Sequence, residues 1–190
     1  SSQAWEKQMQ EKIAGIKSIG VTAFEEMKRR SGLELLRDIA SGVLPQPPIG
    51  KTLNFYLMEV EEGRAVFQGT PKFDFYNPIG TVHGGWSATL LDSCMACAVQ
   101  TTVKQGFGYT TVELKLNLVR PITEMTGPVR AVALCPFNQV SYLLDRHPRI
   151  RRVERRKRRR LDLAEFQPRL GDLAFDHGPE PAGEDFLLPA

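Results

Sequence analysis

Apolar residues recur at two different periods along this chain, and the change of period marks its organisation. Between Ser31 and Gly42 the residues Leu33, Leu36, Ile39 and Ala40 fall three or four apart, the spacing of one buried helical face. Ser31 with Glu34, and further upstream Thr22 with Glu25, fit a capping box, in which hydroxyl and carboxylate satisfy each other's free backbone N–H groups. Gly42 offers a stop. The run Leu44-Pro45-Gln46-Pro47-Pro48 can continue neither a helix nor a central strand and reads as a linker leading into a sheet.

From Thr52 to Thr70 the period falls to two. Leu53, Phe55, Leu57 and Glu59 alternate with Asn54, Tyr56, Met58 and Val60, Glu61 to Arg64 form a turn, and Ala65 to Gly69 make the return strand. Residues 84–103 are small and apolar and read as one helix ended by Gly106 and Gly108. Thr110 to Val119 alternates again and predicts a half-buried strand stopped by Arg120-Pro121, with further strands over Pro128–Cys135 and Gln139–Leu144. This order predicts an α+β fold in which an antiparallel sheet wraps around a long central helix, with helices ahead of it.

Length and charge divide the chain. At 190 residues and 42% apolar content there is material for one domain of ordinary size and a tail. The expected units are an N-terminal helical extension over 1–48, the main domain over 49–144 and an atypical charged tail over 145–190. The net charge of +3 conceals an asymmetry: residues 145–160 carry ten Lys or Arg against two acids, and Leu161 to Ala190 one Arg against seven acids. The first 144 residues are therefore close to neutral, and overall charge says little about their partner. No purely apolar stretch of 18 residues occurs and the N-terminus is polar, so a soluble cytoplasmic protein is expected. Cys94, Cys97 and Cys135 lack the spacing of a disulfide framework and read as reduced thiols, the first two as small core residues rather than metal or redox ligands.

The chemistry concentrates between Asn77 and Asp92. Residues 75–103 contain no Lys, Arg or Glu; apart from Tyr76, Cys94 and Cys97, the ionisable groups are His83 and Asp92. A carboxylate on so apolar a helix costs several kcal/mol unless it is hydrogen-bonded or functional. Ser87 or Thr89 are structural partners within reach. His83-Gly84-Gly85 opens the same helix, where the first N–H groups lack internal acceptors and meet the positive end of the dipole. Two glycines let a substrate carbonyl approach those donors, and Gly84 is the better placed. An ordinary glycine turn capped by His83 is the plainer alternative. Asp92 lies eight residues beyond Gly84, about 12 Å along a helix. One small reaction centre cannot use both from one chain, so the spacing favours a homodimer in which antiparallel helices bring Gly84 of one subunit to the partner's aspartate.

The run Asn77-Pro-Ile-Gly80-Thr-Val-His83-Gly84-Gly85 followed by Asp92 resembles the PaaI-like acyl-CoA thioesterases of the hotdog superfamily, from about Thr52 to Ala133. The resemblance implies a hotdog fold for the main domain and hydrolysis of an acyl-CoA without metal or bound cofactor. It implies Gly84 N–H as the donor that polarises the thioester carbonyl, His83 shaping the turn, and Asn77 helping to hold the carbonyl or water. Asp92 of the partner subunit would be general base or nucleophile, oriented by Thr111. Gly85 and Arg120, with Lys115 beside it, are candidates for substrate contact, Arg120 through the phosphates of coenzyme A. Phe55, Phe73, Phe75, Tyr76 and Trp86 are candidates for an acyl pocket or for core. A dimer or a dimer of dimers is expected.

After about Ala133 the pattern departs from that family. Arg146 to Arg160 cannot form a buried strand, because so many guanidinium groups cannot be desolvated together. Loss of the native reading frame, a basic segment contacting nucleic acid or an anionic membrane, and a solvated tail all fit. For the main domain, two other functions stay open: hydration or dehydration of an acyl thioester on the same fold, and non-catalytic binding of acyl-CoA or nucleic acid.

Overall fold

The computed structural model describes residues 2–111 and 113–135, and the backbone of 141–146. Four helices come first: α1 (Ser2–Ala14), α2 (Phe24–Lys28), α3 (Gly32–Ser41) and α4 (Pro48–Leu53). The capping box at Ser31 forms in full, with Glu34 N donating to Ser31 Oγ and Ser31 N to Glu34 Oε2, and Gly42 ends α3 in the left-handed conformation. The box expected at Thr22 does not form. Ala23 is the N-cap of α2, which moves Glu25 into the first turn, where it pairs with Lys28 across one helical turn. Arg30, bonded to Glu26 and Asp38 at 2.7 Å each, ties α2 to α3.

The linker is shorter than expected, because Pro48 starts a helix at a position where a missing N–H costs nothing. Thr52 and Leu53 therefore belong to α4, and the first strand begins at Phe55. The sheet has four antiparallel strands in sequence order: β1 (Phe55–Glu61), β2 (Arg64–Gly69), β3 (Val129–Leu134) and β4 (Ser141–Arg146). A register shift between Leu57 and Glu59 breaks the simple alternation of β1. The strand anticipated over Gln139–Leu144 exists two residues later, paired along β3 from Leu134↔Ser141 to Val129↔Arg146. Residues 147–190, with most of the basic run and the acidic end, lie outside the described residues.

The central helix, α5 (Gly84–Gln100), stops three residues short of the expected end. It buries Trp86, Leu90, Leu91, Cys94 and Ala98 against Phe55, Leu57, Ala65, Phe67, Val129, Ala131 and Ala133, the residues of one sheet face. Only alternate residues of β3 are buried, yet β2 is buried from Ala65 to Gly69. The reason is a third layer. Gln68 Nε2 donates to Trp5 O at 2.7 Å, Arg130 Nε donates to Gln68 Oε1 at 2.8 Å, the Arg130 guanidinium stacks 4.5 Å from the Trp5 ring and also bonds Gln8, and Met9 is buried. α1 thus covers the outer face opposite α5.

The described residues of 110–119, expected as a strand, do not form one. They lie outside the four-stranded ladder, although Leu114 and Leu116 are half-buried and Glu113, Lys115 and Asn117 exposed. Period-two exposure is a property of any extended chain against an apolar surface; a strand also requires a hydrogen-bonded neighbour.

The start of α3 abuts the end of α5, with Gly32 N donating to Val103 O at 2.9 Å. A methyl at Gly32 would come within 1.7 Å of Gln100 O, a backbone atom. Gly32→Ala is therefore expected to lower unfolding stability by about 3 kcal/mol, the upper range for overpacking. Gly108→Ala, where a methyl meets open space, serves as the control that leaves the denaturant midpoint nearly unmoved.

Candidate active site at the start of the central helix

The loop leading into α5 is closed by its own asparagine. Thr81 N and Ile79 N donate to Asn77 Oδ1 at 3.2 and 3.1 Å, and Asn77 Nδ2 donates to Thr81 Oγ1 at 2.9 Å. Asn77 N donates to Thr81 O at 2.8 Å as well. The carboxamide singled out for substrate contact is thus bound within its own loop, an Asx arrangement that fixes the approach to the helix.

His83 is the N-cap of α5. Its Nδ1 accepts from Gly85 N at 2.9 Å, its own N–H donates to Phe75 O at 2.7 Å, and its carbonyl accepts from Trp86 N. With Nδ1 accepting, the proton of the neutral ring sits on Nε2. A side chain at Gly85 would come within 2.8 Å of Nδ1 and displace this cap. Gly84 N–H is left with no acceptor among the described residues, at the positive end of a 17-residue helix.

Asp92 follows two turns later, half-buried. Its Oδ1 accepts from Thr111 Oγ1 at 2.9 Å. Neither nearby hydroxyl of α5 forms that bond: Thr89 Oγ1 donates to Gly85 O at 2.8 Å. Gly84 and Asp92 share one helix and so stand about 12 Å apart at 1.5 Å per residue. Arg120 and Lys115 are both exposed, beyond Thr111 on the same extended segment.

Beside the start of α5 lies a shallow cleft of about 380 Å³ bordered by Phe75, Tyr76, His83, Gly85, Trp86 and Thr89, with Leu53 and Asp74 at its edge. Phe75 stacks on Trp86, with centroids 6.1 Å apart, and the Trp86 Nε1–H donates to Leu53 O at 2.8 Å. Of the five candidate pocket aromatics, three line this cleft. Phe55 is buried in the core under α5, and Phe73 is exposed against Tyr76. Nothing in the sequence marks Leu53 and Asp74, whose place in the cleft depends on the packing of α4 and the Phe73–Phe75 turn.

Cys94 Sγ donates to Ala65 O and Ala131 O at 3.3 and 3.2 Å, fastening α5 to two strands. Burial pushes the Cys94 thiol up to about 12; burial, then Cys94 and Asp92 nearby, push the Cys97 thiol up to about 12. No group of three His, Cys, Asp or Glu side chains is placed to hold a metal among the described residues. No helix among them is long and apolar enough to cross a membrane.

An antiparallel sheet packed on a central helix that opens with a His-capped glycine pair defines a hotdog domain. Residues 79–133 match the thioesterase superfamily. A phenylacetic acid degradation-related protein from Ralstonia eutropha JMP134 is 26% identical, with a TM-score of 0.52, over 62% of this chain and 90% of that one. A thioesterase family protein from Silicibacter pomeroyi (20%, TM-score 0.47, 55% of this chain and 72% of that one) and the E. coli PaaI protein from the phenylacetic acid degradation operon (17%, 0.46, 65% and 86%) are more distant. No curated protein matches the chain. Over residues 79–133 the chain is thus similar to the thioesterase superfamily, and its fold is similar to that of a PaaI-like hotdog protein.

The thiol environments make a chemical prediction. A thiol of pKa near 12 is about 0.01% thiolate at pH 8, against roughly a quarter for an ordinary one near 8.5. Alkylation of Cys94 and Cys97 at pH 8, followed by mass spectrometry, is expected to be about a thousandfold slower in the folded protein than after denaturation.

Proposed function

We propose that this chain hydrolyses an acyl-CoA thioester to the free acid and coenzyme A, using Gly84 N–H of one subunit and Asp92 of the other. The observation that carries the reading is an N–H without an acceptor at the start of α5, on a helix whose carboxylate is held by Thr111. The thioester carbonyl oxygen accepts from Gly84 N–H, so that negative charge developing on it meets a fixed donor and the helix dipole. The partner's Asp92 takes a proton from water as the water oxygen attacks the carbonyl carbon. The tetrahedral intermediate then collapses, breaking the carbon–sulfur bond, and the proton passes from the carboxyl to the departing thiolate sulfur. Asp92 as a nucleophile, through a mixed anhydride that water then opens, uses the same geometry.

His83 acts in this scheme by holding the turn rather than by moving a proton, since its Nδ1 is committed to Gly85 N. The aromatic cleft takes the acyl group and Arg120 meets the phosphates of coenzyme A, a role assigned from its charge and exposure. The two-subunit site is favoured by the separation of about 12 Å along α5.

Thiol release from short, medium and aromatic acyl-CoA esters tests the reaction. Asp92→Ala is expected to lower kcat by about 10²–10⁴-fold, the range for a lost general base. Thr111→Ala should lower it about tenfold through one lost bond to a charged group. A folded dimer that binds the esters but turns none over would make this a binding protein instead.

Sharing of the site has a separate test. Gly84→Pro removes the N–H at the first helical position, where the helix backbone tolerates proline, although its ring also meets Leu118. Gly84→Pro and Asp92→Ala should each be inactive, and mixing them with subunit exchange should restore activity, because only the mixed dimer then holds one intact site. Two inactive proteins that stay inactive when exchanged would place both residues in one subunit's site.

A further inference from the structure

Leu118 has no part in the chemistry outlined above, yet it stands at the donor on which that chemistry depends. A methyl built on Gly84 would lie 2.9 Å from Leu118 Cδ1, so the leucine side chain already touches the face of Gly84 beside its free N–H. The position of this leucine is set from both ends of its segment. Thr111 is bonded to Asp92 at 2.9 Å, and Val82 N donates to Ile122 O at 2.8 Å just ahead of α5. The chain between these anchors runs back along α5 from its middle to its start and delivers Leu118 to Gly84. There the side chain is 52% exposed, so part of it faces the space next to the helix terminus.

We infer that Leu118 is a specificity-determining residue of the proposed site: it walls the carbonyl-binding position at Gly84 and limits substitution on the acyl carbon next to the thioester carbonyl. The inference rests on the thioesterase reading. A carbonyl oxygen within hydrogen-bond distance of Gly84 N–H places its neighbouring carbon near the Leu118 methyl groups. An unbranched acyl carbon fits beside them and keeps water from the donor, whereas a branched one collides. Leu118 is not among the residues bordering the aromatic cleft, so this limit next to the carbonyl is separate from whatever the cleft selects further along the acyl chain.

The test compares butyryl-CoA with isobutyryl-CoA, which differ only in branching next to the carbonyl. In the full chain the straight ester should be hydrolysed with the higher kcat/KM. Leu118→Ala should shift the kcat/KM ratio toward the branched ester by about tenfold or more, the scale of one methyl group in an apolar pocket. A second pair of variants probes the contact itself. Gly84→Ala keeps the N–H and adds a methyl against Leu118, so activity should fall, and Gly84→Ala combined with Leu118→Ala should recover most of it, because the second change vacates the space the first one needs. General loosening of the segment would move neither the ratio nor the recovery. A ratio unchanged in Leu118→Ala with activity intact, or a double variant no better than Gly84→Ala, would overturn the inference and leave the thioesterase reading standing. Failure of the unmodified protein to hydrolyse any ester would remove both.

Discussion

The site depends on how α5 divides its faces. At 3.6 residues per turn, Trp86, Leu90, Cys94 and Ala98 point one way and bury against the sheet, which turns Gly85, Ala88 and Asp92 to the other side. The apolar face is what holds the helix in place, and Cys94 adds two contacts to strand carbonyls beneath it. At the far end, Thr101 Oγ1 accepts from Gly63 N at 2.7 Å and donates to Ala98 O, joining the helix to the β1–β2 turn. A helix fixed along its length and at its C-terminal end can afford an open first turn, and that opening is where an N–H is left without an acceptor.

Most of what was legible in the sequence was local. Ser31 and Glu34 bond each other three residues apart, and His83 caps a helix whose composition announced it. Thr22 and Glu25 have the same spacing but no box, because α2 starts one residue later than that motif requires. What the sequence could not disclose were partners brought in from far away. The sequence marks β2 only as a return strand; its second face is closed by Trp5, Gln8 and Met9 through Gln68 and Arg130, with partners some 60 and 120 residues off. Asn77 stands in the motif by sequence, but its hydrogen bonds to Thr81 and Ile79 appear only once the loop is folded.

Thr111 shows where the two kinds of information meet. Nothing in its own neighbourhood marks it, and the residues within reach of Asp92 along the helix were Ser87 and Thr89. Family resemblance pointed to Thr111, and the fold brings it to 2.9 Å from the carboxylate across 19 residues. The same segment then carries Leu118 to Gly84. Alternation expected over Thr110–Val119 holds for exposure only at Leu114 and Leu116, since Leu118 is exposed, and it was no evidence of a ladder, because those two leucines need only an apolar surface to turn toward.

This coupling has a consequence for how the site is assembled. Asp92 and Gly84 lie on one rigid helix, so their separation is fixed by helical geometry, but both are finished by side chains of a single segment that is not itself in the sheet. An extended chain outside a ladder gains no regular backbone hydrogen bonds, and it must offset its conformational entropy, about 1–2 kcal/mol for each ordered residue, with side-chain contacts and bonds such as Thr111 to Asp92. Pairing with a second copy would supply the missing backbone bonds along that edge. The step that completes the proposed active site would then be the step that orders the residues flanking it, so dimer formation and the positioning of Thr111 and Leu118 would be one event.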